Sequence, residues 1–304
     1  MYQFYHIYLL GGWCISKEMY ETIRHQTKKW SLDTIPAYCI TLERRADRWT
    51  RFNSQSELGQ FHSGVIQFNG VDGKDLDIRT DSRIALATKR NILFRTRRSH
   101  EELDSAGGVG CALSHISLWK YLVGSDNELL LIFEDDARIP VGFVERANKL
   151  ISQSPFLQDT SKWDMFLLGY HDIMKGYAVQ EDPAVQGVND FYGTFAYIMT
   201  RQCAKRMLEY VFPIHCHIDL WTTIFKKVHG CRIIATRSPR VYHRDLKTDI
   251  QTSRRCDICN IPTRFAGTHV FIEKMDWNIA RASEAILVIA IGYWAVRQWR
   301  GRKV

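Results

Sequence analysis

Residues 129–137 read LLLIFEDDA. Five apolar residues in succession mark a short strand buried on both faces, the kind found inside an α/β sheet covered by helices. Three acids then follow without a break, and carboxylates this close repel one another unless a proton or a cation lies between them. In α/β sheets ligands bind outside the carboxyl ends of the strands, which is where these acids fall. Residues i and i+2 of an extended end point the same way. Glu134 and Asp136 are therefore expected to share a side, with Asp135 directed away. A hard divalent cation, Mg²⁺ or Mn²⁺, would relieve the repulsion and could be shared with substrate phosphates. An ordinary acidic turn is the plainer alternative.

Outward from this strand the pattern of strand and helix repeats. IPAYCITL (35–42) reads as a strand, and ERRADRWTRFNSQSEL after it as a helix. VIQFNGVDGKDL gives a second strand and a glycine turn. SAGGVGCALSHISLWKYLV reads as a glycine turn into an apolar helix, and 129–137 as the third and most central strand. WDMFLLG (163–169) and FYGTFAYIMT (191–200) are the fourth and fifth strands, and RQCAKRMLEYV is a helix. IDLWTTIFKKV (218–228) is a further helix, opened by Asp219, and CRIIAT (231–236) is a last strand. This alternation predicts an α/β domain with a mixed, largely parallel central sheet.

The chain has 304 residues, 45% of them apolar, and a net charge of +8. That profile excludes a disordered or fibrous chain and allows one large domain or two small ones. The basic balance suits an anionic partner, whether a sugar nucleotide, a phosphorylated glycolipid, a membrane surface or a nucleic acid. Residues 79–98 concentrate it, with seven basic residues and one acid. They are either a solvated surface or a patch facing an anion or a membrane. Eight dispersed cysteines are too few for a disulfide scaffold and fit a reducing compartment. Cys256 and Cys259 have the spacing of a zinc or redox pair, but no second Cys-x-x-Cys accompanies them. No signal peptide is evident at the N-terminus. AILVIAIGYWAV (285–296), followed by RQWRGRK, is short for a spanning helix; it reads as a membrane-interface anchor or as a docked terminal helix. A cytoplasmic or membrane-associated protein is expected.

Taken in order, several blocks resemble glycosyltransferase family 25, the lipooligosaccharide and procollagen galactosyltransferases. They are IPAYCITLERRADRW, FNGVDGKDL, GGVGCALSHISLW, LLLIFEDDA, WDMFLLG, GTFAYIMTRQCAKRML and HIDLW. The resemblance implies a GT-A-like domain over residues 35–255, with extensions at 1–34 and 256–304. It implies inverting transfer of a hexose, commonly galactose, from a UDP-sugar donor to a hydroxyl of a glycan, glycolipid or glycoprotein, assisted by Mn²⁺ or Mg²⁺. No nucleic-acid partner is expected. Two other classes compete: a metal-dependent phosphohydrolase or nuclease, and a non-catalytic glycan-binding homologue.

On that resemblance, Asp136 is the first choice of metal ligand, with Glu134 assisting it or binding the ribose and His243 completing the shell. Asp135, Arg44, Arg48 and Asp72 are expected at the nucleotide, although surface salt bridges and a plain turn would also account for them. Arg45 could serve phosphate or pair with Asp47. Ser114 and His115 match the Leu-Ser-His block and are expected at the donor, while Gly108 stands where some relatives carry an acid. Inverting transfer needs a base for the acceptor hydroxyl. Asp219 is the candidate, unless it serves as a helix cap, and Asp172 is the second choice. Tyr197 and Gly193 are expected to shape the pocket.

Overall fold

The computed structural model describes residues 8–10, 13–15, 29–95 and 102–244. The strands are β1 (Tyr8–Leu10), β2 (Trp13–Ile15), β3 (Ala37–Thr41), β4 (Val65–Asn69), β5 (Leu129–Glu134), β6 (Ala137–Arg138), β7 (Met165–Gly169), β8 (Asp172–Ala178), β9 (Val185–Tyr192), β10 (Ala196–Thr200), β11 (Ile233–Thr236) and β12 (Tyr242–His243). The helices are α1 (Ala46–Asn53), α2 (Leu86–Phe94), α3 (Ala106–Gly124), α4 (Phe143–Gln153), α5 (Pro155–Gln158), α6 (Arg201–Leu208) and α7 (Ile218–His229). The C-terminal apolar segment 285–296, Cys256 and Cys259 lie outside the described residues. No helix among the described residues is long and apolar enough to cross a membrane.

Eight strands form one sheet in the order β4-β3-β5-β10-β7-β11-β9-β8. By their pairings six run one way, and only β10 and β9 oppose them, which makes the sheet mixed and largely parallel. The middle of the sheet is β10 and β7, so β5 is third from an edge and not the most central strand. Its continuous apolar run follows from burial on both faces, which any interior strand shares.

Alternation divides β5 cleanly. Leu130 and Ile132 face one core with Met165, Leu167, Tyr197 and the helices α3, α6 and α7. Leu129, Leu131 and Phe133 face a second core with Phe166, Ile198, α4 and α5. Each buried Leu or Phe contributes about 1.5–3 kcal/mol, so β5 anchors both layers. Trp30 and Leu32, from the segment read as an N-terminal extension, are buried in the second core, and the Trp30 indole donates to the Leu157 carbonyl at 3.0 Å.

Two sequence readings change. SAGGVG is no turn: α3 begins at Ala106, with the Ser105 hydroxyl accepting from the Gly108 N–H at 3.1 Å. The glycines permit contact between backbones. A Cβ on Gly73 would lie 2.1 Å from the Ala106 carbonyl oxygen, and one on Gly110 would lie 2.4 Å from that of Val71. The second change is that FYGTFAYIMT is two strands, divided at Gly193, whose φ of +90° turns the chain from β9 into β10.

Candidate active site

The site forms where β5 ends. Glu134 closes the strand, and its carboxylate accepts from the Thr194 hydroxyl at 3.0 Å. Thr194 belongs to the turn that Gly193 creates. The Glu134 Oε1 also lies 3.4 Å from the His115 Nε2, long for a hydrogen bond but close enough for strong attraction. Burial pushes the Glu134 carboxyl up, but His115 and Thr194 outweigh it and hold the group below its ordinary range, with Asp219 opposing them.

His115 is 0% exposed. Its Nδ1 lies 2.9 Å from the Tyr197 hydroxyl, and the Trp119 indole N–H lies 2.9 Å from the same oxygen. An indole nitrogen only donates. Burial also drives the Tyr197 pKa well above the usual range, so the phenol keeps its proton. The Tyr197 oxygen therefore accepts from Trp119 and donates to His115 Nδ1, which places the His115 proton on Nε2, facing Glu134. Hydrogen bonds join Trp119, Tyr197 and His115, and the His115 Nε2 stands 3.4 Å from Glu134 at the end of that series.

Beyond Glu134 the chain leaves the strand, and Asp135 and Asp136 lie in the turn between β5 and β6 rather than in the extended end that alternation assumes. Asp135 is buried, accepting from the Thr41 hydroxyl at 2.8 Å and the Arg48 guanidinium at 2.7 Å. Burial pushes its carboxyl up to about 6 against the pull of both partners. Asp135 and Arg48 thus face each other beneath the site. Asp136 meets His243 instead. Its Oδ2 lies 3.3 Å from His243 Nε2, and its Oδ1 is buried with no hydrogen-bond partner.

The meeting of Asp136 and His243 is set by backbone. β6 and β12 pair antiparallel, with His243 opposite Ala137, and the Arg244 N–H donates to the Asp136 carbonyl at 2.9 Å.

His171 is the residue that the sequence reading passed over in favour of its neighbour. Its ring lies 4.5 Å from that of His243 and 5.2 Å from Phe195, centroid to centroid. Its N–H bonds the Tyr192 carbonyl at 2.8 Å, drawing the loops after β7 and β9 together. Burial and His243 lower its pKa, and Glu134, Asp136 and Asp219 pull the other way, so the imidazole is neutral near pH 7. Asp172 turns away into an adjoining open cleft of about 490 Å³, with Tyr170, Tyr177, Arg237 and Arg240.

Asp219 does not cap α7, because His217 occupies that position and makes no side-chain cap bond. The Asp219 carboxylate accepts from the Gly193 N–H at 3.0 Å and the Leu220 N–H at 2.7 Å, which ties α7 to the turn that carries Thr194.

The remaining candidates are spent on internal bonds. The Ser114 hydroxyl accepts from the Val71 N–H and donates to the Gly110 carbonyl. Arg44 and Asp72 form an ion pair at the ends of β3 and β4, and Asp72 also accepts from the Lys74 N–H. Arg45 pairs with Asp47.

Among the described residues, two groups of side chains have metal-binding chemistry. The ligating atoms of Cys111, His115 and Glu134 lie within 4.8 Å of one another. A cation on His115 Nε2 would force the proton to Nδ1, leaving the Tyr197 hydroxyl hydrogen without its acceptor. Burial also raises the Cys111 thiol pKa well above normal in the absence of a cation. Asp136 and His243 fit a cation better. A buried carboxylate oxygen without a donor, beside an imidazole on the same acid, is a donor set that Mn²⁺ or Mg²⁺ accepts.

Residues 34–222 match the family model described as glycosyltransferase family 25 (LPS biosynthesis protein). His243 lies beyond that match. An Aedes aegypti glycosyltransferase 25 family member is 29% identical over 177 residues, 57% of this chain and 27% of the relative. Human procollagen galactosyltransferase 2 is 28% identical over 178 residues, 56% of this chain and 27% of the relative. A mouse protein named inactive glycosyltransferase 25 family member 3 is 28% identical over 186 residues, 59% of this chain and 29% of the relative. The chain therefore spans less than a third of the length of these relatives. Among solved structures, UDP-glucose pyrophosphorylase complexed with UDP-glucose superposes with a TM-score of 0.34 and 11% identity, over 69% of this chain and 92% of that one. That likeness is too slight to bear on function.

Proposed function

The chain belongs to glycosyltransferase family 25, and from that premise we propose that it transfers a hexose, with galactose the first candidate, from a UDP-sugar to a hydroxyl of a glycan, glycolipid or protein. Inversion at the sugar and assistance by a divalent cation are part of the proposal. The observation that carries it is the convergence of Glu134, Asp136 and Asp219 with His115, His171 and His243 at one end of β5.

Asp136 and His243 would hold the cation. When bound, it would supply charge stabilisation to the departing diphosphate. Arg44 and Asp72, at the ends of β3 and β4, are proposed to border the nucleotide. Glu134, fixed by Thr194 and His115, would orient donor hydroxyls.

Asp219 is the proposed base. Two of its roughly four acceptor positions are used by backbone N–H groups, which leaves lone pairs for an incoming hydroxyl. Neutral His171 is the second group able to take that proton. Replacing each separately would distinguish them, since the base variant loses transfer while donor affinity persists.

The test is UDP release from a panel of UDP-hexoses with Mn²⁺, with and without EDTA. Release that EDTA abolishes and that Asp136→Asn lacks is expected. A second reading, a non-catalytic homologue, is favoured by the name of the mouse relative. Absence of release with every donor and cation would select it.

A further inference from the structure

Helix α2 is inverted. Its buried residues are Thr88 and Asn91, each 1% exposed, while Leu86 is 83% exposed, Phe94 73% and Leu93 40%. The polar side chains turn inward because they have partners there. The Thr88 hydroxyl donates to the Ile214 carbonyl at 3.2 Å, and the Asn91 amide donates to the Glu102 carboxylate at 2.9 Å. At about 100° per residue, Leu86, Arg90 and Leu93 fall on one narrow face with Phe94 beside them, opposite Thr88 and Asn91. Exposed leucines scattered singly need no explanation, but a helix face that gathers them does.

The segment that carries this face is predominantly basic, with Asp77 and Asp81 near Lys89 and Glu102 on its buried side. Residues 79–95 contain five basic residues and one acid. That acid, Asp81, is held by Arg83. Arg90 and Arg95 have no ion pair among the described residues. A helix that presents Leu and Phe between arginines has the composition of an interfacial helix, whose apolar side chains enter the acyl boundary while its cations meet anionic headgroups. A nucleic acid would use the arginines but has no place for the leucines. The apolar side chains stand on the outward face of a helix, which suits a flat, deformable partner.

We infer that α2 is a docking helix for an anionic membrane surface. Its position suits a membrane-borne acceptor. The Ala85 N–H and the Thr88 hydroxyl grip the Ile214 carbonyl, and Glu102 bridges to Cys216. The chain gripped in this way runs directly into α7, which carries Asp219. Membrane docking itself is independent of the transferase reading and would stand without it.

The experiment is co-sedimentation of the full chain with vesicles of phosphatidylcholine alone and of phosphatidylcholine with phosphatidylglycerol. Wild type is expected to bind the anionic vesicles, less so at high salt, with amide exchange slowed across residues 86–95. The triple variant Leu86→Ser, Leu93→Ser, Phe94→Ser should bind at least about tenfold more weakly. Its substituted side chains are exposed, so its melting temperature should be unchanged. Arg90→Glu with Arg95→Glu should weaken binding to anionic vesicles only. All proteins keep residues 245–304, so a contribution from that segment is common to each. Equal binding by wild type and the triple variant, or no slowing of exchange in α2 on vesicles, would overturn the inference. Absence of vesicle binding would do the same, and would turn attention to an acidic protein partner.

Discussion

The series from Trp119 to Glu134 can be broken by removing one oxygen. Tyr197→Phe keeps the ring, the packing and the strand. It takes away the acceptor of the Trp119 indole N–H and the donor to His115 Nδ1, both in the buried core. Each orphaned buried polar atom costs about 1–3 kcal/mol, and partial readjustment should keep the sum near about 3 kcal/mol. For a domain of this size that is a loss of about 6–12 °C in melting temperature. Glu134 still favours the proton on Nε2, so the tautomer should persist while Nδ1 is left without a donor. Thermal melting reads the lost stability. The nitrogen chemical shifts of His115 read the loss of the bond at Nδ1, with the Nε2–H pattern kept. UDP release should fall about tenfold, because Glu134 loses part of what fixes it. A Phe variant that melts with the wild type and leaves the His115 Nδ1 shift unchanged would refute the hydrogen bonds drawn to the Tyr197 oxygen.

Asp136→Asn and His243→Ala should each reduce cation-dependent UDP release about a hundredfold or more, and excess Mn²⁺ should restore the His243 variant better than the Asp136 one; full activity in either would remove that residue from the cation site. Gly193→Ala should destabilise the fold by about 1–2 kcal/mol, since its φ is +90° and the new Cβ would lie 2.7 Å from the His171 ring; a neutral effect in urea unfolding would contradict the turn geometry. Asp135 gives a pH test with a definite sign. Its folded pKa of about 6 exceeds the ordinary 3.8, so the folded chain holds the proton more tightly than the unfolded one. It contributes no difference below about pH 4. Stability then falls as pH rises to about 6, by about 3 kcal/mol in all. Urea midpoints in EDTA should therefore drop from about pH 4 to about pH 7 more in wild type than in Asp135→Asn, and parallel profiles would argue against it.

The fold class was legible because LLLIF and its companions are continuous apolar runs, and only a sheet covered on both faces accepts them. The position of β5 was not legible, since an interior strand and a central strand have the same composition. β8 was missed because nearly all its residues are exposed, and β9 was read only at its Phe191–Tyr192 end because Gln186, Gly187, Asn189 and Asp190 interrupt its apolar residues. At the site, the three acids stand at the carboxyl end of β5 as strand geometry suggests, but Asp135 and Asp136 lie in the turn beyond it, where the two-residue period no longer holds. His171 was not legible, because the choice between it and Asp172 depends on which way one turn rotates. The pairing of Arg48 with Asp135, and of Tyr197 with His115, joins residues far apart in sequence, and nothing local announces either. Ser114 was chosen for its motif, yet its hydroxyl is occupied in joining α3 to the turn after β4.

The two-residue ribbon of β6 and β12 ties two distant parts of the chain to one place. Asp136 is made near the middle of the chain, whereas His243 stands at the last stretch described. Closing so long a loop is entropically unfavourable until the sheet already holds its ends near each other. The sheet supplies that hold: the Val241 N–H donates to the Leu168 carbonyl, Val241 bridges Gly169 at the end of β7, and its side chain is buried in the second core. A cut just after β11 would therefore open the core as well as remove His243, so the proposed cation pair is fastened to the same contacts that close the fold.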